Sequence, residues 1–185
     1  SFKADRLVLI STVDVYKSPI AVDERTVQGK NSLQPYGLNR LRLEESVQNI
    51  FNKSTILRLP ALFGPGLKKN AIYDLINDNN VDRINPDGEF QFYNMENLAK
   101  DTSRAIEHDL GILNLATEPL RIGDLARDLF DLNIESNSKE NAAKYDIRSR
   151  HATIWGNTNY LYTKTSVIDD LGAFVDLEKS RRKGN

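Results

Sequence analysis

The chain has 185 residues, of which 39% are apolar and 28% are charged, and its formal net charge is −1. A chain of this length forms one domain, or one domain with a small additional lobe. Its nearly neutral charge argues against a protein that holds nucleic acid by bulk electrostatics.

The first half of the chain contains two short apolar runs separated by a loop and a helix. Residues 7–12 predict a strand buried on both faces of a parallel sheet. The polar stretch 17–35 is interrupted by prolines and a glycine and predicts a long loop. A helix is then predicted from about Tyr36 to Asn52, and its inward face is expected to carry Leu43, Val47, Ile50 and Phe51.

The second half continues the alternation of strands and helices. Residues 55–59 predict a second buried strand, ended by Pro60 and the turn Gly64-Pro65-Gly66. Beyond it, the pattern predicts an aromatic strand at 90–93 and a third buried strand at 112–115. Helices are predicted at 70–79, 96–107, 122–132, 165–171 and 173–179. The stretch 135–144 has no clear pattern. Alternation of this kind predicts an α/β fold with a parallel sheet.

Three sheet strands are few for such a fold. The strand at 7–12 reads as a central strand, yet little sequence precedes it. An open sheet edge leaves backbone groups unpaired. We therefore expect this chain to be the later part of a larger protein, or its edge to be covered by a partner.

Several classes of chemistry are excluded by composition. The chain has no cysteine, which rules out disulfides, thiolate metal sites and cysteine nucleophiles. His108 and His151 lie far apart without ligand spacing, so no metal site is expected. The sequence has neither a run of membrane-spanning length nor a signal-peptide pattern, so neither a membrane nor nucleic acid is an expected partner, and the cytoplasm is the predicted location.

A family resemblance rests on five segments taken in order. They are Ser11-Thr12-Val13-Asp14-Val15-Tyr16, Tyr36-Gly37-Leu38-Asn39-Arg40 with Glu44, Arg58-Leu59-Pro60-Ala61-Leu62-Phe63-Gly64-Pro65-Gly66, Met95-Glu96-Asn97-Leu98-Ala99 and Leu113-Asn114-Leu115-Ala116. With this order and spacing, residues 7 to about 175 resemble the C-terminal half to two-thirds of an extended short-chain dehydrogenase/reductase. The group within that family is the nucleotide-sugar epimerases and dehydratases.

The resemblance implies an architecture as well as a reaction. It implies a partial Rossmann-like parallel sheet, containing the later strands only, with a small C-terminal substrate-binding lobe. Residues 1–66 and 95–118 would form the later half of the Rossmann-like domain, and residues 67–94 and 119–185 the lobe. The N-terminal cofactor-binding half would be absent.

The resemblance also assigns catalytic roles. Thr12 would assist proton transfer, and the phenol of Tyr36 would be the general acid or base. An unperturbed tyrosine pKa is near 10, and a cation one helical turn away lowers it. The family has a lysine at this position, which also binds the nicotinamide ribose. This chain has Arg40, whose planar guanidinium presents its charge differently from an ammonium group. Ser11 and Pro60 would lie beside the cofactor. The alternative for Tyr36 is a ring that only packs at the start of a helix.

Candidate substrate-binding residues follow the strand ends. Asp14 falls where dehydratases carry an acid, with a solvated loop carboxylate as the alternative. Ala61 stands where the family often has asparagine. Lys68, Lys69 and Asn70 precede a helix and are candidates for a phosphate, although a solvated lysine pair is equally compatible. Phe90 and Gln91 stand near the position of a phosphate-binding arginine, for which Arg148 and Arg150 are the possible replacements.

The expected cofactor is NAD or NADP, but only in a full-length parent. A dinucleotide-binding fold needs a G-x-G-x-x-G-type turn between a first strand and a helix. Gly64 and Gly66 follow the wrong strand, so this chain alone is expected neither to bind NAD(P) tightly nor to be active.

Three hypotheses remain open at this stage. The first is the catalytic and substrate-binding part of an NAD(P)-dependent oxidoreductase acting on a small molecule, possibly a nucleotide-sugar. The second is a degenerate, non-catalytic module that binds a nucleotide-sugar or a protein. The third is a scaffold whose exposed strand pairs with another chain. The helix at 36–52 resembles the family's dimer helix, so a homodimer is also predicted.

Overall fold

The fold alternates strands and helices, as a computed structural model of the protein shows for residues 4–27, 29–135 and 141–183. The strands are β1 (Leu7–Thr12), β2 (Ile20–Val22), β3 (Ser54–Leu59), β4 (Ala61–Phe63), β5 (Glu89–Phe90), β6 (Phe92–Asn94), β7 (Ile112–Asn114), β8 (Leu120–Arg121) and β9 (Asp146–Ile147). The helices are α1 (Pro35–Ile50), α2 (Ala71–Asn77), α3 (Leu98–Glu107), α4 (Ile122–Phe130) and α5 (Lys164–Lys183).

The main sheet is three-stranded and parallel, in the order β1-β3-β7. This confirms the predicted α/β fold with a parallel sheet. Its strands are the three apolar runs of the sequence. Three two-stranded pairs flank it, β2 with β9, β4 with β6 and β5 with β8, of which only the last is antiparallel.

Strand β1 is an edge strand among the described residues, and the prediction that it is buried on both faces is wrong. Val8 and Ile10, whose side chains share one face, are 36% and 39% exposed. The Leu7 amide donates to the Lys53 carbonyl, so the backbone groups of alternate residues point to β3, and those of the residues between them, including Ile10, point outward. The Ile10 carbonyl accepts a hydrogen bond from the Arg40 guanidinium. Within the described ranges, this arginine takes the place of a neighbouring strand at that carbonyl.

Of the residues of helix α1 that were predicted to face inward, only Val47 is buried. The buried residues of this helix are Gly37, Leu41, Glu44 and Val47, whereas Leu43 is 40% exposed and Ile50 is 72% exposed. The helix approaches the chain after β1 so closely that a Cβ at Gly37 would lie 2.1 Å from the Asp14 carbonyl oxygen. The prediction failed because a buried glutamate is invisible to a pattern of apolar residues.

Two further predictions need correction. The stretch 17–35 is not all loop, because it contains β2, which pairs with β9. The two helices predicted at 165–171 and 173–179 are the single helix α5, which runs through Gly172. The other predicted helices are confirmed with shorter bounds, and residues 136–140 of the unpatterned stretch lie outside the described residues.

The buried core has two main clusters that meet at β6. Phe92 packs in a cluster with residues of α2, α4 and α5, whereas Tyr93 packs in a second cluster beside α3 and the main sheet. Successive side chains of a strand point to opposite faces, so this short strand serves both clusters. Among the described helices, none combines the length and apolar character needed to cross a bilayer.

The orientation of α1 gives a test of this packing. We expect Leu41→Ala to lower the free energy of unfolding by about 2–4 kcal/mol, because it opens a cavity in the cluster that Leu41 forms with Val13 and Ile147. Leu43→Ala on the same helix should cost less than about 1 kcal/mol, because that side chain is already hydrated. Urea denaturation followed by circular dichroism measures both. A larger loss for the Leu43 variant would contradict the observed face.

Candidate active site

A single cleft lies beyond the carboxyl ends of β1 and β3. It consists of three adjoining cavities of about 370, 480 and 630 Å³. The first, here called the aromatic recess, is lined by Thr12, Val13, Asp14, Leu59, Pro60, Ala61, Asn70, Ala71, Phe90, Gln91, Phe92 and Tyr145. The second shares Asp14 and Tyr145 with the recess and reaches Tyr36. The third, the lysine cavity, shares Pro60 and Ala61 with the recess and Tyr36 with the second cavity.

Thr12 and Asp14 form a hydrogen-bonded corner of this cleft. The Thr12 hydroxyl accepts from the Asp14 amide at 3.2 Å, where it caps a short 3₁₀ helix. The same hydroxyl donates to the Asp14 carboxylate at 3.1 Å. Thr12 is buried and Asp14 is exposed. The Asp14 carboxylate therefore connects the buried Thr12 hydroxyl to solvent, as a path for a proton.

Tyr36 stands at the start of α1, directly after the proline that opens the helix. Its side chain is 59% exposed and its phenol makes no hydrogen bond to the described residues. Tyr36 and Thr12 line adjoining cavities of the cleft, and the tight approach of Gly37 to the Asp14 carbonyl fixes their two segments together. The phenol is therefore open to a ligand in the cleft.

Arg40 lies one turn after Tyr36 and is directed to the outer edge of β1. One terminal nitrogen donates to the Ile10 carbonyl, and the Nε atom is buried without a hydrogen-bond partner among the described residues. An unsatisfied buried donor costs about 1–3 kcal/mol. An acceptor placed beside Arg40 would therefore be stabilising.

Ser11 faces away from the cleft and joins a buried network. Its hydroxyl donates to the Glu44 carboxylate, which Arg58 binds through Nε and, at 2.7 Å, through a terminal nitrogen. The Glu44 and Arg58 side chains are only 2% and 4% exposed. Arg58 also donates to the Tyr16 hydroxyl at 2.8 Å, which contacts Asn114 at 3.0 Å. Burial raises the pKa of the Tyr16 phenol, although the positive charge of Arg58 acts in the opposite direction.

The residues predicted to meet a phosphate line the lysine cavity. Lys68 and Lys69 are exposed there. Asn70 has a φ of 118° and caps α2, because its side-chain oxygen accepts from the Tyr73 amide at 3.1 Å. Its side-chain nitrogen donates to the Leu62 carbonyl at 2.8 Å. Both polar atoms of the Asn70 amide therefore already hold the backbone.

Arg148 and Arg150 do not line any of the three cavities. Arg148 forms an ion pair with Asp146 at 2.8 Å. The Arg150 Nε atom donates to the neighbouring His151 ring at 3.2 Å. The structure thus brings Thr12, Asp14, Tyr36, Pro60, Ala61 and the 68–70 segment to one cleft, and leaves these two arginines outside it.

Sequence reasoning missed the aromatic wall of the recess. The rings of Phe90 and Tyr145 stack with centroids 5.5 Å apart and an interplanar angle of 26°. Burial and the negative charge of Asp14 raise the pKa of the Tyr145 phenol. The aromatic residues near position 90 could have indicated this wall. Nothing in the sequence indicated Tyr145, because it directly follows the unpatterned stretch 135–144.

The residues predicted to lie beside a nicotinamide cofactor are not all in the cleft. Tyr36 and Pro60 line it, whereas Arg40 lines none of the three cavities and donates to the Ile10 carbonyl. The turn Gly64-Pro65-Gly66 lies between β4 and α2, but Lys69 stands where a G-x-G-x-x-G-type turn has its third glycine. The described residues contain no group of three or more histidine, aspartate or glutamate side chains placed to bind a metal ion.

No model of a known protein family matches the chain, and a comparison with curated proteins finds no match. Solved structures do share its fold. MoeE5 in complex with UDP-glucuronic acid and NAD superposes with a TM-score of 0.71 at 18% identity, covering 96% of this chain and 65% of MoeE5. RMD from Pseudomonas aeruginosa, complexed with NADPH, has the same score and identity, with coverage of 95% and 67%.

A third similar structure is the UDP-glucose 4-epimerase of Thermotoga maritima with UDP-glucose. Its TM-score is 0.72 at 14% identity, and the coverage is 96% of this chain and 64% of the epimerase. The chain therefore spans about two thirds of the length of the structures that it resembles. The predicted fold, a partial Rossmann-like parallel sheet with the later strands only, is confirmed.

The buried ion pair behind the cleft can be tested against its neighbour in sequence. We expect Glu44→Ala to destabilise the fold by about 3–5 kcal/mol, because it leaves Arg58 as an unpaired buried charge. Glu45→Ala breaks only an exposed pair with Lys30, so it should cost less than about 1 kcal/mol. Denaturant unfolding measures both variants. If both variants lost the same free energy of unfolding, the buried pair would contribute no more to stability than the exposed one.

Proposed function

We propose that this chain carries the proton-transfer and substrate-binding residues of an NAD(P)-dependent oxidoreductase of the nucleotide-sugar epimerase and dehydratase type. The observation that carries the proposal is the cleft itself, in which a free phenol and a buried hydroxyl line adjoining cavities. The similar structures support it, because they are complexes with NAD or NADPH, with UDP-glucuronic acid and with UDP-glucose. Activity is proposed for the full-length polypeptide.

The proposed chemistry is proton transfer at a carbon–oxygen group. When bound, NAD(P) supplies the acceptor or donor of hydride. The Tyr36 side chain takes the hydroxyl proton of the substrate as a phenolate during oxidation, and returns it as a phenol during reduction. The Thr12 hydroxyl donates a hydrogen bond to the same oxygen, once it turns away from Asp14. Arg40, one turn after Tyr36, is the accompanying cation of the proposed site, and it would have to leave the Ile10 carbonyl to reach the cleft.

The proposed substrate contacts lie on the two sides of this centre. Lys68 and Lys69 would attract a diphosphate in the lysine cavity, because both are exposed cations. Asp14 and Ala61 keep their proposed roles beside the substrate, whereas Ser11 would have to leave Glu44, and the Asn70 amide its backbone partners, to make the proposed contacts. Arg148 and Arg150 stay candidates for a phosphate, although each would have to leave its present partner.

A second candidate function is a non-catalytic binding module. Two contacts favour it, since the Arg40 guanidinium is held by the Ile10 carbonyl and the Thr12 hydroxyl is held by Asp14. A module of this kind would bind a nucleotide-sugar without binding NAD(P), even in the full-length polypeptide. Titration calorimetry with UDP-glucose and with NAD separates the two functions.

The role of Tyr36 gives the main test of catalysis. In the full-length polypeptide, we expect Tyr36→Phe to lower kcat by about 10²–10⁴-fold, because the proton donor is lost while the ring stays. Tyr73→Phe in α2 removes an equivalent hydroxyl outside the three cavities and is the matched control. Steady-state kinetics with NAD(P)H measures both. Unchanged turnover in the Tyr36 variant would remove the phenol from the mechanism.

The proposed homodimer can be tested on the exposed face of α1. Leu43 and Ile50 lie seven residues apart on this helix, and both are exposed in the isolated chain. If this face forms the dimer, the double variant Leu43→Glu and Ile50→Glu should be monomeric, because two charges would be buried at the interface. Light scattering measures the mass. A wild-type chain that is monomeric at high concentration would contradict the dimer.

A further inference from the structure

The aromatic recess has few side-chain groups that can pair with a hydroxylated ligand. Among its described lining residues there is no lysine, arginine or histidine. Gln91 is buried, its side-chain nitrogen donates to the Ile147 carbonyl at 2.7 Å and its oxygen accepts from the Ile147 amide at 2.8 Å. The Asn70 amide is likewise committed to the Leu62 carbonyl and the Tyr73 amide. Neither amide is free to bind a ligand.

The polar side-chain atoms left to a ligand are gathered at one corner. They are the Thr12 hydroxyl, the Asp14 carboxylate and the phenol of Tyr145, whose pKa is raised by burial and by Asp14. This corner suits one oxygen atom of a ligand. A hexose carries hydroxyls around its whole ring, and each of them would lose water without gaining a side-chain partner elsewhere in the recess.

Aromatic rings line the recess next to this corner, starting from the ring of Tyr145. Phe90 stacks on Tyr145 at 5.5 Å and lies 6.4 Å from the ring of Phe92, and the small side chains of Ala61 and Ala71 also line the recess. Aromatic faces of this kind gain most from an aromatic or alkyl partner. The volume of about 370 Å³ is within the range of small-molecule sites.

We infer that the recess binds an aryl or alkyl group, and that the reacting compound is a ketone or secondary alcohol with such a group beside its oxygen. The oxygen meets the Thr12–Asp14 corner and the apolar group lies against Phe90 and Tyr145. The reaction in this inference rests on the proposed function. The group that enters the recess is different, because it is apolar and not a sugar ring. Binding to the recess itself needs neither cofactor nor turnover.

The test is a nuclear magnetic resonance titration of the 185-residue chain with acetophenone and, separately, with UDP-glucose. We expect acetophenone to shift the resonances of Ala61, Phe90 and Tyr145, and UDP-glucose to leave those of the recess unchanged. Phe90→Gln should weaken acetophenone binding about tenfold, because it replaces the stacked ring by an amide. Phe130→Leu removes an aromatic ring outside the cleft and should leave the affinity unchanged. The amide spectrum of each variant verifies the fold.

Recess shifts with UDP-glucose, or no recess shifts with acetophenone, would overturn the inference. Equal affinities in the wild type and a folded Phe90 variant would do the same. The proposed function is judged separately, by the turnover of the Tyr36 variant. A recess that binds acetophenone in a full-length polypeptide without turnover would keep the inferred binding and overturn the inferred reaction.

Discussion

The buried ion pair between Glu44 and Arg58 holds the parts of this structure in place. It joins the middle of α1 to the central strand of the sheet, and the Ser11 and Tyr16 hydroxyls complete its hydrogen bonding. Charges removed from water are tolerated only when their partners and hydrogen bonds are complete. The position of α1 over β1 and β3 is therefore set by polar geometry, which is more directional than apolar packing.

The location of the cleft follows from this constraint. Glu44 lies two turns after Tyr36 on the same helix, so anchoring the carboxylate also fixes where the phenol stands. At the start of the helix, Gly37 rests against the Asp14 carbonyl, in a space that any larger residue would have to open. Thr12 belongs to the segment that this contact holds. The hydroxyl and the phenol share one cleft because one rigid helix is fixed at both points.

The sequence predicts the parts of this arrangement that depend on apolar patterns and chain order. Three apolar runs separated by helices are enough for a parallel sheet, and the carboxyl ends of parallel strands bring their following loops together. Apolar patterns cannot predict the buried face of α1, because any polarity scale assigns Glu44 to the exposed face. They cannot predict the recess either, because Phe90 and Tyr145 become neighbours only when residues 143–145 pair beside Glu89.

The cation beside the phenol is where the sheet edge and the chemistry meet. Arg40 holds the Ile10 carbonyl with one end of its guanidinium and keeps a buried Nε donor unpaired. The guanidinium of an arginine can donate to an edge carbonyl from one nitrogen and to a ligand from another. A lysine has a single nitrogen and cannot do this. If a strand pairs with the outer edge of β1, it takes over the Ile10 carbonyl and frees the guanidinium. The guanidinium is charged in either case, but all its donors would then be available one turn after Tyr36, so completing the sheet would also change the surroundings of this helix start.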